Sequence, residues 1–238
     1  MTSPAEVRAF ADAGAVADAA ARHFVEAVTA AQAARGSAAV VLTGGGTGIG
    51  LLERVRLAPG GIDWSALDVY WGDERFVPAG HPERNEGQAR AALLDHVPLD
   101  PARVHPMSSS DGDYPDPAAA AAAYAALLPV AFDLHLLGMG GEGHVNSLFP
   151  HTDAVREEHA AVVAVTDSPK PPPVRVTLTL PAVRRAREVC LVVTGAAKAE
   201  AVAAALAGAR PEEIPAAGAR GAERTLWLLD AGAAAKLS

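Results

Sequence analysis

Residues Ala38-Ala39-Val40-Val41-Leu42-Thr43-Gly44-Gly45-Gly46-Thr47-Gly48-Ile49-Gly50-Leu51-Leu52-Glu53-Arg54-Val55 decide the architecture. The first six form a short apolar run rich in β-branched side chains, and the glycines cut it off. From Ile49 onward apolar residues return at helical spacing, so the stretch reads as strand, glycine turn, helix.

The same grammar recurs along the chain. Further strands are predicted at Leu67–Trp71, Phe132–Leu137, Ala161–Val165, Val174–Leu180, Glu188–Val193 and Thr225–Leu229, with helices at Asn85–His96, Pro117–Leu128 and Ala196–Ala207. Ahead of them, Ala5 to Ala34 carries Val7, Phe10, Val16, Phe24 and Val28 at helical spacing, with Gly14 its one breaker, and predicts one or two amphipathic helices. Alternating strands and helices, several strands being apolar on consecutive positions, imply a three-layer α/β fold: a mostly parallel, Rossmann-like sheet with helices on both faces. The segment from Pro106 to Pro117 reads as a surface loop, so residues 1–238 are expected to form a single domain. In such sheets ligands sit at the carboxyl ends of strands, which directs attention to the loops after Thr43, Trp71 and Leu137.

Composition narrows the function classes. The 238 residues are 50% hydrophobic and 20% charged, enough to bury a sizeable core and too apolar for disorder. Lys plus Arg number 20 against 28 Asp plus Glu, a formal charge of −8, which disfavours a general nucleic-acid or anionic-membrane binder. Cys190 has no second cysteine to pair with and lies in the apolar run Val189 to Val193, as a buried structural thiol would. Residues Met1 to Phe10 lack a basic stretch followed by an apolar core, and no apolar run reaches the roughly 18 residues of a bilayer span. A cytoplasmic protein is the expectation. With no exposed apolar stripe evident, so is a monomer.

Five segments have the makings of a site. In Thr43-Gly44-Gly45-Gly46-Thr47-Gly48, glycines let backbone N–H groups approach a ligand, and the following helix start favours an anion such as phosphate or carboxylate. The spacing fits neither the dinucleotide fingerprint nor the nucleotide P-loop. Trp71-Gly72-Asp73-Glu74-Arg75 places three charges at the end of an apolar strand. Adjacent Asp73 and Glu74 point apart in an extended segment and so differ in role, while Arg75 supplies the cation that a negative substrate or developing oxyanion needs. Asn85 reads as a helix N-cap.

In Gly138-Met139-Gly140-Gly141-Glu142-Gly143-His144, a histidine follows a glycine turn two residues after a carboxylate. A helix is expected to begin near His144 and lower its pKa, making it a neutral general base that Glu142 orients. The other seven histidines have no comparable neighbours. Finally, Arg175 opens a strand after the proline run Lys170-Pro171-Pro172-Pro173, and Lys198 follows Thr194-Gly195 in the first turn of a helix, where it opposes the dipole unless it meets an anion. Arg175 and Lys198 together suggest a shared phosphate site.

These motifs, in this order, resemble the 6-phosphogluconolactonase family in its short bacterial type. The resemblance covers roughly two thirds of the chain, from the first glycine loop to Lys198, and is carried most specifically by Trp71 to Arg75 and by Gly138 to Pro150. Two positions depart from the family pattern: Gly46-Thr47-Gly48 stands where Ser-Thr-Pro is frequent, and Glu142 where Asp is. The first alters the phosphate cradle; the second keeps the charge on a longer arm. The resemblance implies hydrolysis of 6-phospho-D-glucono-1,5-lactone to 6-phosphogluconate in the pentose phosphate pathway, without metal or organic cofactor. The reading of the residues is consistent with that reaction and offers His144, Glu142, Arg75 and Asp73 as the catalytic group, Asp73 either contacting sugar hydroxyls or orienting Arg75, and Thr43, Gly44, Gly45, Gly46, Arg175 and Lys198 as the phosphate-binding group. The related glucosamine-6-phosphate deaminase/isomerase family shares the fold but typically reads Met-Asp-Glu-Tyr in the second loop and Ala-Phe-Asn-Glu-Pro after the histidine. A non-catalytic sugar-phosphate sensor is the other alternative, and no basic or helix-turn-helix segment precedes the first strand. A nicotinamide-dependent dehydrogenase is disfavoured by the glycine spacing.

Overall fold

The computed structural model describes residues 4–237; Met1 to Ser3, part of the amino-terminal stretch considered above, and Ser238 lie outside them. In chain order the elements are β1 (Glu6–Phe10), α1 (Ala13–Arg35), β2 (Ala38–Leu42), α2 (Gly45–Leu57), β3 (Leu67–Trp71), β4 (Asp73–Arg75), α3 (Asn85–Ala92), β5 (Val104–His105), α4 (Pro117–Leu127) and β6 (Leu134–Leu137). They continue as α5 (Asp153–Arg156), β7 (Val162–Val165), β8 (Arg175–Leu178), α6 (Leu180–Val183), β9 (Glu188–Val193), α7 (Ala199–Leu206) and β10 (Arg224–Asp230). Within the described residues, seven strands form one sheet in the order β1-β10-β9-β6-β2-β3-β5, every pair parallel. A second, antiparallel sheet of β4, β8 and β7 stands beside it.

The consecutive apolar positions of the strands have a simple cause, since both faces of the sheet are covered. Val40, Leu42, Val69, Trp71, Leu136, Cys190 and Val192 pack with α1, α2 and α3 on one face. Val41, Tyr70, Leu137, Leu191, Val193 and Trp227 pack with α4, α6, α7 and the antiparallel sheet on the other. Neighbouring residues of one strand thus enter different cores, as the period of two requires. Cys190 is fully buried, and burial pushes its thiol pKa up. No helix among the described residues is long and apolar enough to cross a membrane.

The predicted sheet with helices on both faces is present, and four local expectations need correction. Residues 6–10, expected to be helical, form β1, because they pair with β10 in the register Glu6↔Leu226 to Phe10↔Asp230. The helix starts later, where the Asp12 carboxylate accepts the Ala15 N–H at 2.8 Å. Asp73 to Arg75, expected as a loop, form β4 against β8. The strand expected to reach Leu180 ends at Leu178, and α6 follows with Pro181 in its first turn. The helix expected to run to His96 stops at Ala92 and is followed by a 3-10 turn over Leu94–His96.

His135 in β6 is a buried titratable group remote from the loops considered above. It pairs in register with Val41 and Val189, is fully buried, and neither ring nitrogen has a hydrogen-bond partner. Burial lowers its pKa to about 3. Because the folded value lies below the unfolded one of about 6.5, the chain takes up a proton on unfolding, and stability falls with pH by about 1.4 kcal/mol per unit between those values. Chemical denaturation of a His135→Leu variant should therefore show about 2 kcal/mol less loss of stability than the parent between about pH 7.5 and about pH 5. Equal losses in the two proteins would mean that His135 gains its proton without unfolding.

Candidate active site

β2 and β6 are neighbours, but the sheet continues from β2 through β3 to β5 on one side and from β6 through β9 on the other. At such a switch point the chains leaving two adjacent strands separate and open a crevice. Here the divergence is held by one contact, in which the Gly138 N–H donates to Thr43 Oγ1 at 3.1 Å. Above it lies a cleft of about 350 Å³ lined by Thr43, Gly44, Gly45, Gly46, Asp73, Arg75, His144, Arg175 and Lys198. Every predicted site residue except Glu142 thus borders one space, and Glu142 stands directly behind His144. Three residues that sequence reasoning left outside the site, Asn85, Asn146 and Lys170, also line it.

The first glycine loop ends immediately above β2. Gly44 caps α2 without any side-chain hydrogen bond, so the first N–H groups of this 13-residue helix have no capping acceptor and lie at the cleft. A side chain is excluded at Gly44, since a Cβ there would sit 2.0 Å from Asn85 Oδ1.

The segment from Gly138 to Pro150 contains no helix, which corrects the expectation that a helix dipole acts on His144. The loop is instead wound tightly on itself: the Gly140 N–H donates to the His144 carbonyl at 3.0 Å, and a Cβ on Gly140 would lie 2.0 Å from His144 Nδ1. The imidazole rests on Phe149 with ring centroids 4.5 Å apart, and its Nδ1 meets Glu142 Oε1 at 3.0 Å. Nε2 has no hydrogen-bond partner among the described residues. Burial, assisted by the charge of Lys170, lowers the His144 pKa despite the opposing pull of Glu142 and Asp73. Burial acts to raise the Glu142 carboxyl, but hydrogen bonding from Lys170 and the charges around it outweigh this and leave it below the usual range.

β4 positions its three charges by pleat and by pairing. Glu74 turns inward: Oε1 accepts the N–H groups of Arg75 and Asn85, both at 2.8 Å, and Oε2 that of Glu86 at 2.9 Å, with Arg84 at 3.9 Å. Burial raises its pKa against these partners. Glu74 is therefore the group that caps α3, and Asn85 is its first helical residue instead of the cap. This frees the Asn85 side chain for the cleft. Its Nδ2 donates to the Asp73 carbonyl at 2.8 Å, and its Oδ1 accepts from Arg75 Nη1 at 2.8 Å. Asp73 reaches Arg75 only through Asn85; its own Oδ2 accepts from Ser147 Oγ at 2.6 Å.

Arg175 and Lys198 border the same cleft but are differently engaged. The Arg175 guanidinium, 4% exposed, donates from Nε to the Pro172 carbonyl at 3.0 Å, and from Nη2 to the carbonyls of Lys170 at 2.8 Å and Pro171 at 3.3 Å. Its Nη1 donates to Ser147 Oγ at 3.3 Å. Most of its donors hold the proline loop, and little is left for a ligand. Lys198 closes a 3-10 turn over Ala196–Lys198 just before α7, and has no carboxylate within 4.0 Å among the described residues. Burial and the charge of Lys170 lower its pKa. Asn146, at φ 50°, keeps both amide atoms buried and unpartnered. The cleft as a whole pairs one imidazole, oriented by a carboxylate and with its pKa lowered, with a cationic wall.

Comparison with known proteins identifies the family. A family model described as glucosamine-6-phosphate isomerases/6-phosphogluconolactonase matches residues 11–227. A 6-phosphogluconolactonase of Mycobacterium tuberculosis is 54% identical over 247 aligned positions, covering 100% of this chain and 99% of that protein. One of Streptomyces coelicolor is 56% identical over 236 positions, covering 93% and 90%. Among solved structures, the 6-phosphogluconolactonase of Trypanosoma cruzi superposes with a TM-score of 0.85 at 26% identity, covering 100% of this chain and 98% of the other. On these matches over nearly its whole length, the chain belongs to the glucosamine-6-phosphate isomerase/6-phosphogluconolactonase family.

Proposed function

We infer that this chain is a hydrolase that opens 6-phospho-D-glucono-1,5-lactone to 6-phospho-D-gluconate. Relatives more than half identical over nearly the whole chain bear the name 6-phosphogluconolactonase. The observation that carries the chemistry is the His144–Glu142 pair, set at 3.0 Å in a cleft walled by cations. A phosphorylated lactone needs both parts: a base for water and positive charge for the phosphate and for the oxyanion that forms.

In this reading the substrate phosphate lies at the uncapped start of α2, with Lys198 as its counter-ion. The lactone carbonyl then faces His144. A water oxygen bonds to the carbonyl carbon as Nε2 accepts its proton, and the electron pair of the carbonyl moves onto oxygen. Arg75, held by Asn85 and the Glu83 carbonyl, supplies positive charge toward that oxygen. The intermediate collapses by breaking the bond to the ring oxygen, which takes the proton from His144 and leaves as the C5 hydroxyl. The new carboxylic acid then ionises into solvent. Because a δ-lactone is already reactive toward water, positioning and one base suffice, and no covalent intermediate or cofactor step is required. The whole chain acts as one domain in this account, on a substrate of the cytoplasm.

Purified protein should accelerate lactone disappearance over buffer when the lactone is generated in situ by glucose-6-phosphate dehydrogenase. His144→Ala should lower kcat by about 100-fold or more while leaving affinity for 6-phosphogluconate nearly unchanged. Full turnover in that variant would remove His144 from the mechanism. Lys198→Ala should raise KM about tenfold with a smaller effect on kcat; a loss confined to kcat would place Lys198 at the reacting carbonyl instead. No acceleration by the parent protein, with ammonia released from glucosamine 6-phosphate, would transfer the assignment to a deaminase.

A further inference from the structure

Lys170 takes no part in the scheme above, yet its ammonium group lies within reach of both members of the catalytic pair. Nζ is 2.9 Å from Glu142 Oε1, 3.0 Å from Oε2 and 3.5 Å from His144 Nδ1. Its position is built, not incidental. The Lys170 carbonyl accepts from Arg175 Nη2 at 2.8 Å and from Ser168 Oγ at 2.9 Å, so a buried guanidinium fixes the backbone from which the ammonium extends. Phe149, which carries the His144 ring, also lies under Nζ, with its centroid at 5.9 Å.

A carboxylate behind an imidazole ordinarily does two things. It orients the ring through Nδ1, and its negative charge stabilises the protonated form. Both serve a general base once its nitrogen is free, but a stabilised imidazolium also leaves more of the ring already protonated, and so unable to accept a proton from water, at lower pH. A cation bound to the same carboxylate separates the two effects: the hydrogen-bond geometry stays, and the net charge behind the ring falls close to zero. We propose that Lys170 is a positioning residue that neutralises Glu142, so that the carboxylate orients His144 without retaining its proton, and that it thereby keeps the base free at lower pH.

The other charges around His144 do not supply this function. Asp73, across the cleft in β4, has the opposite sign, accepts from Ser147 and lies 3.9 Å from Arg175. Arg75, Arg175 and Lys198 border the cleft, as Lys170 does, but none of them forms an ion pair with Glu142 among the described residues. Among the described residues Lys170 is the cation that pairs with Glu142. Its direction of action agrees with the lowered His144 pKa, in which burial comes first and Lys170 second.

The inference rests on His144 being the base, and the test keeps the two claims apart. Lys170→Met retains the stem and removes the charge; Lys170→Arg retains the charge. For each, the pH profile of kcat/KM is measured together with the NMR titration of the His144 ring, assigned by its absence in His144→Ala; dispersion of the same spectra reports an intact fold. In Lys170→Met both the acid limb of the profile and the ring titration should move to higher pH by about one unit, while Lys170→Arg stays near the parent. An unchanged ring titration in Lys170→Met overturns the proposal. So does a raised KM with a fixed acid limb and a fixed titration, which would make Lys170 a substrate contact. A ring titration that moves while the acid limb does not would support the action of Lys170 on His144 and remove His144 as the base.

Discussion

The parting of the chain above β2 and β6 is the constraint on which the rest of the molecule depends. Two adjacent parallel strands send their continuations to opposite sides of the sheet, because each face must be covered by its own layer of helices. No backbone fills the gap between those continuations, so a cleft at the carboxyl edge is a by-product of covering both faces. Thr43 and Gly138 tie its floor with one hydrogen bond, and the glycine loops that leave the two strands become its walls. The first glycine loop and the histidine loop face each other for this reason, although about a hundred residues of chain separate them.

A second layer of order comes from buried polar groups that satisfy one another. Glu74, 1% exposed, would be costly in isolation, and three backbone N–H groups and Arg84 compensate it. In doing so it locks β4, only three residues long, to the start of α3. Asn85 then bridges Asp73 and Arg75, and Ser147 links Asp73 to Arg175 and the proline loop. A short strand has little hydrogen bonding of its own, so this network is what holds Asp73 and Arg75 in place at the cleft. The same proline loop presents Lys170 to Glu142, which places the electrostatics of His144 at the end of a chain of contacts that begins in a buried guanidinium.

Much of this was legible in the residues. The strands of the main sheet read clearly because burial on both faces demands continuous apolar runs, and the glycine loops marked the carboxyl edge. β1 did not, because Val7 and Phe10 also satisfy helical spacing; its partner strand is distant, with Glu6 meeting Arg224 at a separation of 218 residues. β4 was hidden because three consecutive charges look like a solvated turn, and only pairing with β8 makes them a strand. The tight turn at His144 resembled a helix start because glycine before a polar residue is common to both. Asn85 looked like a cap because no local pattern reveals that Glu74, eleven residues earlier, already does that work.

The sequence by itself determined the layered fold, the loops that border the cleft and the residue types that line it, because each follows from local periodicity or from backbone freedom at glycine. Only the tertiary structure decided how those residues are engaged: that Glu142 and Lys170 meet behind His144, that Arg175 spends its donors on loop carbonyls while Lys198 keeps its own, and that Asp73 reaches Arg75 through Asn85. Hydrogen bonds and charge pairs act over a few ångströms between groups far apart in the chain, and a linear pattern holds no record of which groups folding will bring that close.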